Sequence, residues 1–394
     1  MASGAKIIVA GGGIGGLSAA LGLATRGCQV TVLEQADAFG EIGAGIQIGP
    51  NAFHAMDWLG VGEAARRKAV YIDKLVMMDG MSGEEIAHIP VDEPFRKRFR
   101  NPYAVIHRAD LHGVLLDACR ARSDIALVTR ARVVGYANDR AGASVRTEKG
   151  DAYAGDAVIG CDGIRSKIRE QVTGGDAIRL SGHVAYRAVL PIEKMPEDLR
   201  WNAATLWAGP KCHMVHYPLQ GWKTFNLVAT FQTEVDAVGV SEAGTREEIL
   251  SRFGNVVQRA RKLLEVPTEW RRWVLGDREP IENWTDGRVT LLGDAAHPTH
   301  QYFAQGACMA MEDAVCLADK FDKTNGDLDA AFQAYQHDRI IRAYRVVLSS
   351  RMLGRVYHAE GVERKIRNSV LGAKTPEEFY NGLQWLYGGN GLTP

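Results

Sequence analysis

Residues 6–35 read KIIVAGGGIGGLSAALGLATRGCQVTVLEQ, and few folds accommodate that run. Ile7, Ile8 and Val9 are consecutive apolar residues, the pattern of a strand covered on both faces in a parallel sheet. Gly11, Gly13 and Gly16 follow as G-x-G-x-x-G. The first glycine permits a tight turn, the second lets backbone approach a pyrophosphate, and the third lets a helix pack closely on the strand. Leu17, Ala20, Leu21 and Ala24 give that helix an apolar face, and Gly27 ends it. Its N-terminus offers free N–H groups and a positive dipole end to a phosphate. A second strand, QVTVLE, finishes at Glu34, 18 residues after Gly16, where a carboxylate accepts hydrogen bonds from a ribose diol. The pattern predicts a βαβ dinucleotide site. An acid at position 34 disfavours a 2′-phosphate, which leaves FAD or NAD.

Two later loops separate these cofactors. In GDAVIGCDGIRSKIREQV (155–172), Ala157 to Ile159 form a strand, Asp162 and Gly163 a turn, and Arg165, Lys167 and Arg169 open a helix. Alone this is an ordinary strand-to-helix junction. In GRVTLLGDAAHPTHQYFAQGACMAMEDA (287–314), a strand through Val289, Leu291 and Leu292 delivers Asp294 to a turn, and a helix begins near Gly306. Asp294 suits a ribitol or ribose hydroxyl, and the helix start again presents a dipole end. A nicotinamide dehydrogenase has no use for a cofactor loop so late, whereas a flavin and its ribityl chain extend well beyond the first βαβ unit. YAVIHRADLHGVLLDACR reads as a strand and then a helix N-capped by Asp110, with Arg108 just before it, in reach of a pyrophosphate or the flavin edge.

The chain has 394 residues, enough for two joined domains. Lys plus Arg and Asp plus Glu both number 47, so charge gives no reason to expect nucleic acid or an anionic membrane as partner. RKRFR at 96–100 is expected to be a solvated loop. The six cysteines are scattered without metal-ligand spacing, which favours a reducing compartment and a cytoplasmic protein without a metal site. No apolar stretch is long enough to span a membrane. Between 178 and 275 the pattern turns to antiparallel strands. Period-two spacing puts His213, Val215 and Tyr217 on one face, and Cys212, Met214 and His216 on the other. Residues 71–100 add a hairpin. The stretch after 328 is a long helix or helix pair, and FYNGLQWLYGG packs on the body or on a second subunit. The fold class expected is α/β. A discontinuous Rossmann-like FAD-binding domain (1–70, 101–177, 278–320) joins an antiparallel-sheet substrate domain (71–100, 178–277), and C-terminal helices (321–394) complete the chain.

GGGIGGLSAA, EIGAGIQIGPNA, IHRADLH, CDGIRSKIR and GDAAHP…QGACMAMEDA, in that order, resemble the single-component (class A) flavoprotein aromatic hydroxylases, the family of p-hydroxybenzoate and salicylate hydroxylases. The resemblance covers most of the chain. It implies FAD contacts for Gly15, Glu34, Gln35, Gln47, Arg108, Asp294 and Ala307, beside the motif residues Gly11, Gly13, Gly16 and Gly306, with Asp162 supporting the cofactor. It also implies NADH or NADPH as a transient donor without a Rossmann domain of its own, and O2 as co-substrate. In that chemistry an electron-rich ring attacks the flavin C4a-hydroperoxide, water is excluded, and a group accepts the phenol proton. His213 is the candidate acceptor because an imidazole ordinarily titrates near neutrality.

Within the family a proline usually stands four residues past the histidine of GDAAH, where this chain has Gln301. With GPKCHMVHYPL and DREPIENWTDGR, that glutamine makes the sequence look most like the members that convert 3-hydroxybenzoate to gentisate. The likeness implies His213 and Gln301 as catalytic at the phenol, with Tyr103 and Tyr217 lining the pocket. Salicylate or 6-hydroxynicotinate hydroxylation stays open, as does a flavin oxidase or dehydrogenase on the same scaffold. A small aromatic acid is the expected partner, and a homodimer is expected through the resemblance alone.

Overall fold

The computed structural model describes residues 4–40, 43–139, 141–235 and 242–389. Glu41 and Ile42 of EIGAGIQIGPNA lie outside these residues, as do short parts of the expected substrate and C-terminal regions.

Lys6–Ala10 is the centre of a six-stranded sheet because its apolar residues can be covered on both faces. It pairs in parallel with Gln29–Leu33 on one side and Ala157–Gly160 on the other. Ile125–Val128 extends one edge, and Val289–Leu291 followed by Thr285–Asp286 extends the other. Helix Ile14–Ala24 buries ten of its 11 residues against the sheet, helix Arg108–Arg120 and helix Gly306–Lys323. The strands that carry the three motifs are therefore neighbours in space, so their C-terminal ends open on one crevice.

The second unit is an eight-stranded sheet in the order Glu242–Gly244, Trp270–Arg278, Ile178–Pro191, Thr224–Gln232, Cys212–Leu219, Ala203–Gly209, Lys74–Asp79 and Glu85–Pro90. Its pairings are antiparallel except for Ala203–Gly209 with Lys74–Asp79. Met214, Trp207, Ala229 and Tyr186 share its buried outer face, packed on helices Arg246–Arg252 and Gln258–Glu265. Gln220, Gly221 and Trp222, all at positive φ, make the turn between Cys212–Leu219 and Thr224–Gln232.

Two sequence expectations change, and the open choice after residue 328 falls to a single long helix. Residues 93–99 form a helix rather than a loop. Phe99 is buried against Phe95, Tyr380 and Tyr387, and Arg98 binds Glu377, Asn381 and Gln384 of helix Pro376–Tyr387. The apolar anchors outweigh the charge that suggested a loop. The N-cap of helix Arg108–Arg120 is His107, which makes no capping side-chain hydrogen bond, and Asp110 sits inside the first turn; strand Ala104–His107 runs straight into the helix, so the extended cap position falls three residues before the aspartate. Leu328–Tyr357 is one helix of 30 residues. The aromatic C-terminal segment packs on the body of the same chain, where the Tyr380 hydroxyl donates to the Pro90 carbonyl. Among the described residues, no helix is long and apolar enough to cross a membrane.

Candidate active site

A cavity of about 1420 Å³ runs from the glycine turn after the first strand to the inner face of the eight-stranded sheet. Gly11, at φ +114°, nests against the end of the neighbouring strand, where a Cβ would strike the Cys161 carbonyl. Gly16 does not line the cavity; a Cβ there would strike the Gly11 carbonyl, so this glycine seats the helix against the turn. Gly13, Gly15, Glu34, Gln35, Gln47, Arg108, Asp162, Asp294, Gly306 and Ala307 all line the cavity. Two helix N-termini open on it, at Gly13 and Gln305, and neither is capped by a side chain. Glu34 holds the entry turn by accepting from the backbone N–H of Gly12 (2.9 Å) and Ala36 (2.8 Å). Asp162 accepts from Lys167 N–H at 2.7 Å. Burial pushes its carboxyl up, opposed by hydrogen bonds from Ser166 and the backbone.

The loop bearing Asp294 is held from below. Asp313, fully buried on helix Gly306–Lys323, accepts from Gly293 N–H (3.1 Å), from His297 (2.5 Å) and from Arg339 (2.7 Å). Burial raises this carboxyl, but His297 and Arg339 outweigh it and bring it down to about 2. Arg339 also binds Glu312 at 2.6 Å, and Glu312 accepts from Asn51 at 2.7 Å.

At the other end, register builds the wall. Leu206, Val215, Val228 and Arg187 are successive cross-strand partners on four strands and all line the cavity. His213 lies directly across from Thr230, and the Thr230 hydroxyl accepts from Gln301 Nε2 at 2.8 Å. Side chains directly opposite one another share a face, so sheet register brings Gln301, 88 residues away in sequence, beside His213. Arg187 donates to Gln301 Oε1 at 2.6 Å and lies over the Trp273 ring at 5.3 Å. Among the described residues it forms no ion pair, and its Nε is buried without a hydrogen-bond partner. Burial, and then Arg108, lower its pKa. Tyr217 faces the cavity two residues along from Val215. Tyr103 also lines it and donates to Gln47 Oε1 at 2.7 Å, which ties the expected substrate wall to an expected cofactor contact. Gly45 N–H donates to Asn226 Oδ1 at 2.8 Å, and a Cβ on Gly45 would come within 2.5 Å of the Tyr217 ring.

His213 corrects one expectation. It does not titrate near neutrality: burial, with His183 adding to it, lowers its pKa to about 3. Its ring is therefore neutral and can accept a proton only from an acid placed against it. Nδ1 is 2.7 Å from Nε2 of His358, which leaves Nε2 for a ligand. Arg187, Thr230 and His358 were missed in the sequence. Arg187 had a signal, a lone charge inside the apolar strand pattern HVAYRAVLPI; His358, at the end of the long helix, had none.

A glycine turn without side chains, two uncapped helix N-termini, an acid at the second strand's end and an aspartate loop compose a donor set that fits a flavin dinucleotide. Fold and site define a flavoprotein whose cofactor cleft continues into a pocket walled by a sheet. The FAD binding domain family model matches residues 4–350, and the chain belongs to that family. It is 52% identical over 385 residues to a 3-hydroxybenzoate 6-hydroxylase of Polaromonas naphthalenivorans, covering 98% of this chain and 96% of that one. A second 3-hydroxybenzoate 6-hydroxylase, from Klebsiella oxytoca, is 50% identical over 98% of both chains. Among solved structures, Klebsiella pneumoniae HpxO complexed with FAD and uric acid superposes with a TM-score of 0.87. It is 28% identical, over 98% of this chain and 97% of that one.

Proposed function

We propose that the protein is an FAD-dependent monooxygenase that converts 3-hydroxybenzoate to gentisate, using NADH or NADPH and O2. The observation that carries this reading is the cross-strand placement of His213 and Thr230 with Gln301 fastened to the Thr230 hydroxyl. Bound FAD supplies the redox chemistry, taking electrons from the nicotinamide donor and activating O2 for transfer to the ring.

The chain's own residues prepare the ring. His213 Nε2, on a neutral imidazole, accepts the phenolic proton as the reaction proceeds. Gln301 has its oxygen occupied by Arg187 and one N–H by Thr230, so its remaining N–H donates to the phenolic oxygen as charge grows there. Charge on that oxygen enriches the para carbon, which in 3-hydroxybenzoate is C6. Arg187, a buried cation without an acidic partner among the described residues, and the Tyr217 hydroxyl suit the substrate carboxylate. Leu206, Val215 and Val228 keep the wall apolar and exclude water.

The test replaces His213 by Ala and Gln301 by Glu in the yellow holoprotein and follows NADH oxidation, O2 uptake and peroxide release together. Each variant is expected to lose roughly 100-fold or more in hydroxylation, the scale of a lost general base, with a larger share of O2 appearing as peroxide. In Gln301→Glu the new carboxylate would pair with Arg187 and repel the phenolate. Wild-type turnover and coupling in both variants would refute the assignment. Salicylate and 6-hydroxynicotinate in the same assay decide the substrate.

A further inference from the structure

Sheet register sets out a second row of side chains beside the apolar wall. His213 lies opposite Thr230, Thr230 opposite Ala185, and Ala185 opposite Trp273. Arg187 stands two residues along from Ala185 and pairs with Arg271. Trp273 is therefore its diagonal neighbour on the same face, within reach of long and aromatic side chains. Ala185 puts only a methyl group between Thr230 and Trp273, which leaves the indole room to lean towards Arg187. The guanidinium carbon of Arg187 lies over the Trp273 ring, 5.3 Å from its centre. Trp273 is half-buried and does not line the cavity; Leu275, two residues further along the same strand, does, and Arg271, two residues back, is exposed. The indole thus sits at the rim where the cavity wall gives way to solvent.

Few other contacts hold Arg187 in place. One terminal nitrogen donates to Gln301 Oε1 at 2.6 Å, and its Nε has no hydrogen-bond partner. Among the described residues no carboxylate pairs with it, and Arg108 is close enough to disfavour its charge. A long side chain with a like charge nearby and one hydrogen bond is free to swing out beside Arg271. The indole supplies the missing constraint. A cation over an aromatic face is drawn to the ring quadrupole, and tryptophan is the best such partner. Stacking also covers only the planar face of a guanidinium, so the N–H groups at its edge stay available for a carboxylate.

We propose that Trp273 is a positioning residue for substrate recognition: by stacking on Arg187 it fixes the guanidinium at the end of the apolar wall and sets the preference for a ring that carries a carboxylate. The proposal rests on the reading of Arg187 as the partner of the substrate carboxylate. The same contact bears on Gln301. Arg187 occupies the Gln301 oxygen, so a guanidinium held by the indole keeps the amide turned with its N–H towards the phenol. One aromatic face outside the cavity steadies both ends of the substrate.

The test titrates oxidised holoprotein with 3-hydroxybenzoate and, separately, with 3-hydroxybenzamide, its neutral isostere, reading each Kd from the change in flavin absorbance. The ratio of the two is the carboxylate preference. The wild type should favour the carboxylate by roughly tenfold or more, the scale of a hydrogen bond between charged groups. Trp273→Leu should cut that preference about 2- to 30-fold, the span of a cation–π contact from exposed to desolvated, and Trp273→Phe should fall between. In turnover, Trp273→Leu should raise KM more than it lowers kcat, the mark of a lost binding contact. A merely structural role for the indole would weaken both ligands alike, so a wild-type ratio in Trp273→Leu overturns the proposal. Arg187→Gln should abolish the preference. If it does while Trp273→Leu keeps the wild-type ratio, the proposal alone fails. If Arg187→Gln keeps the preference, the reading of Arg187 fails and the proposal with it.

Discussion

Asp313→Asn isolates what holds the cofactor loop. All three groups bound to this carboxylate are donors: Gly293 N–H, His297 and Arg339. An amide keeps one accepting oxygen and turns the other position into a donor, so in either orientation it faces at least one N–H. The side chain is fully buried, and water cannot relieve the clash. One route to the magnitude is protonation linkage: lowering the carboxyl from 3.8 to about 2 corresponds to about 2.5 kcal/mol of stability above the ordinary carboxylate range. A second is the cost of breaking a buried ion pair, about 3–5 kcal/mol. A chain of 394 residues carries an unfolding entropy near 0.8 kcal/mol per degree, so the melting temperature should fall by about 3–6 °C. Because Gly293 and Asp294 sit on this support, FAD affinity should fall as well. Thermal scans of the holoprotein, with flavin fluorescence reporting release, measure both. A variant that melts within one degree of wild type and holds FAD equally well would refute the reasoning.

Acid should destabilise the fold early. Burial holds His213 and His216 at about 3 and His183 and His300 at about 4, against 6.5 in the unfolded chain. Their contribution is complete above pH 6.5 and is lost as the pH falls from there towards 4, by up to about 1.4 kcal/mol per group per pH unit. Melting temperatures that stay flat between pH 7 and 5 would contradict this. Gly45→Ala should loosen the junction between cofactor cleft and substrate wall, since its Cβ would lie 2.5 Å from Tyr217 and 2.9 Å from Asn226. We expect a loss of about 1–3 kcal/mol and a raised KM, read by melting and steady-state kinetics. Burial pushes the thiols of Cys28, Cys119, Cys212, Cys308 and Cys316 up to about 12. At pH 8 a thiol reagent should leave them untouched in the folded protein and titrate them on unfolding.

The cofactor half was legible because its constraints are local. Gly11, Gly13, Gly16 and Glu34 lie within one βαβ unit, and their spacing is dictated by a turn, a helix and a strand end. The strand face of His213, Val215 and Tyr217 was legible for the same reason, since alternation along a strand is local. Register is not. Nothing near position 301 announces that Gln301 reaches Thr230, or that Thr230 lies opposite His213. The effect of burial on His213 was hidden too, because an imidazole's pKa depends on what surrounds it in three dimensions. The helix at 93–99 was missed because Phe95 and Phe99 are anchored by a C-terminal segment more than 280 residues away.

The order of strands in the parallel sheet also dictates when the cofactor site can exist. Ala157–Gly160, buried throughout, is flanked by Lys6–Ala10 on one side and by Val289–Leu291 on the other. During synthesis the second neighbour emerges 129 residues later, roughly 6–26 s at typical translation rates. Through that interval the nascent sheet has an open apolar edge, the kind of surface that pairs with other chains. The Asp294 loop and the second helix N-terminus are also still inside the ribosome. FAD can be captured firmly only once the last quarter of the chain has closed the sheet. Flavin supply in the cell should therefore govern the yield of finished protein more than the survival of its early intermediates.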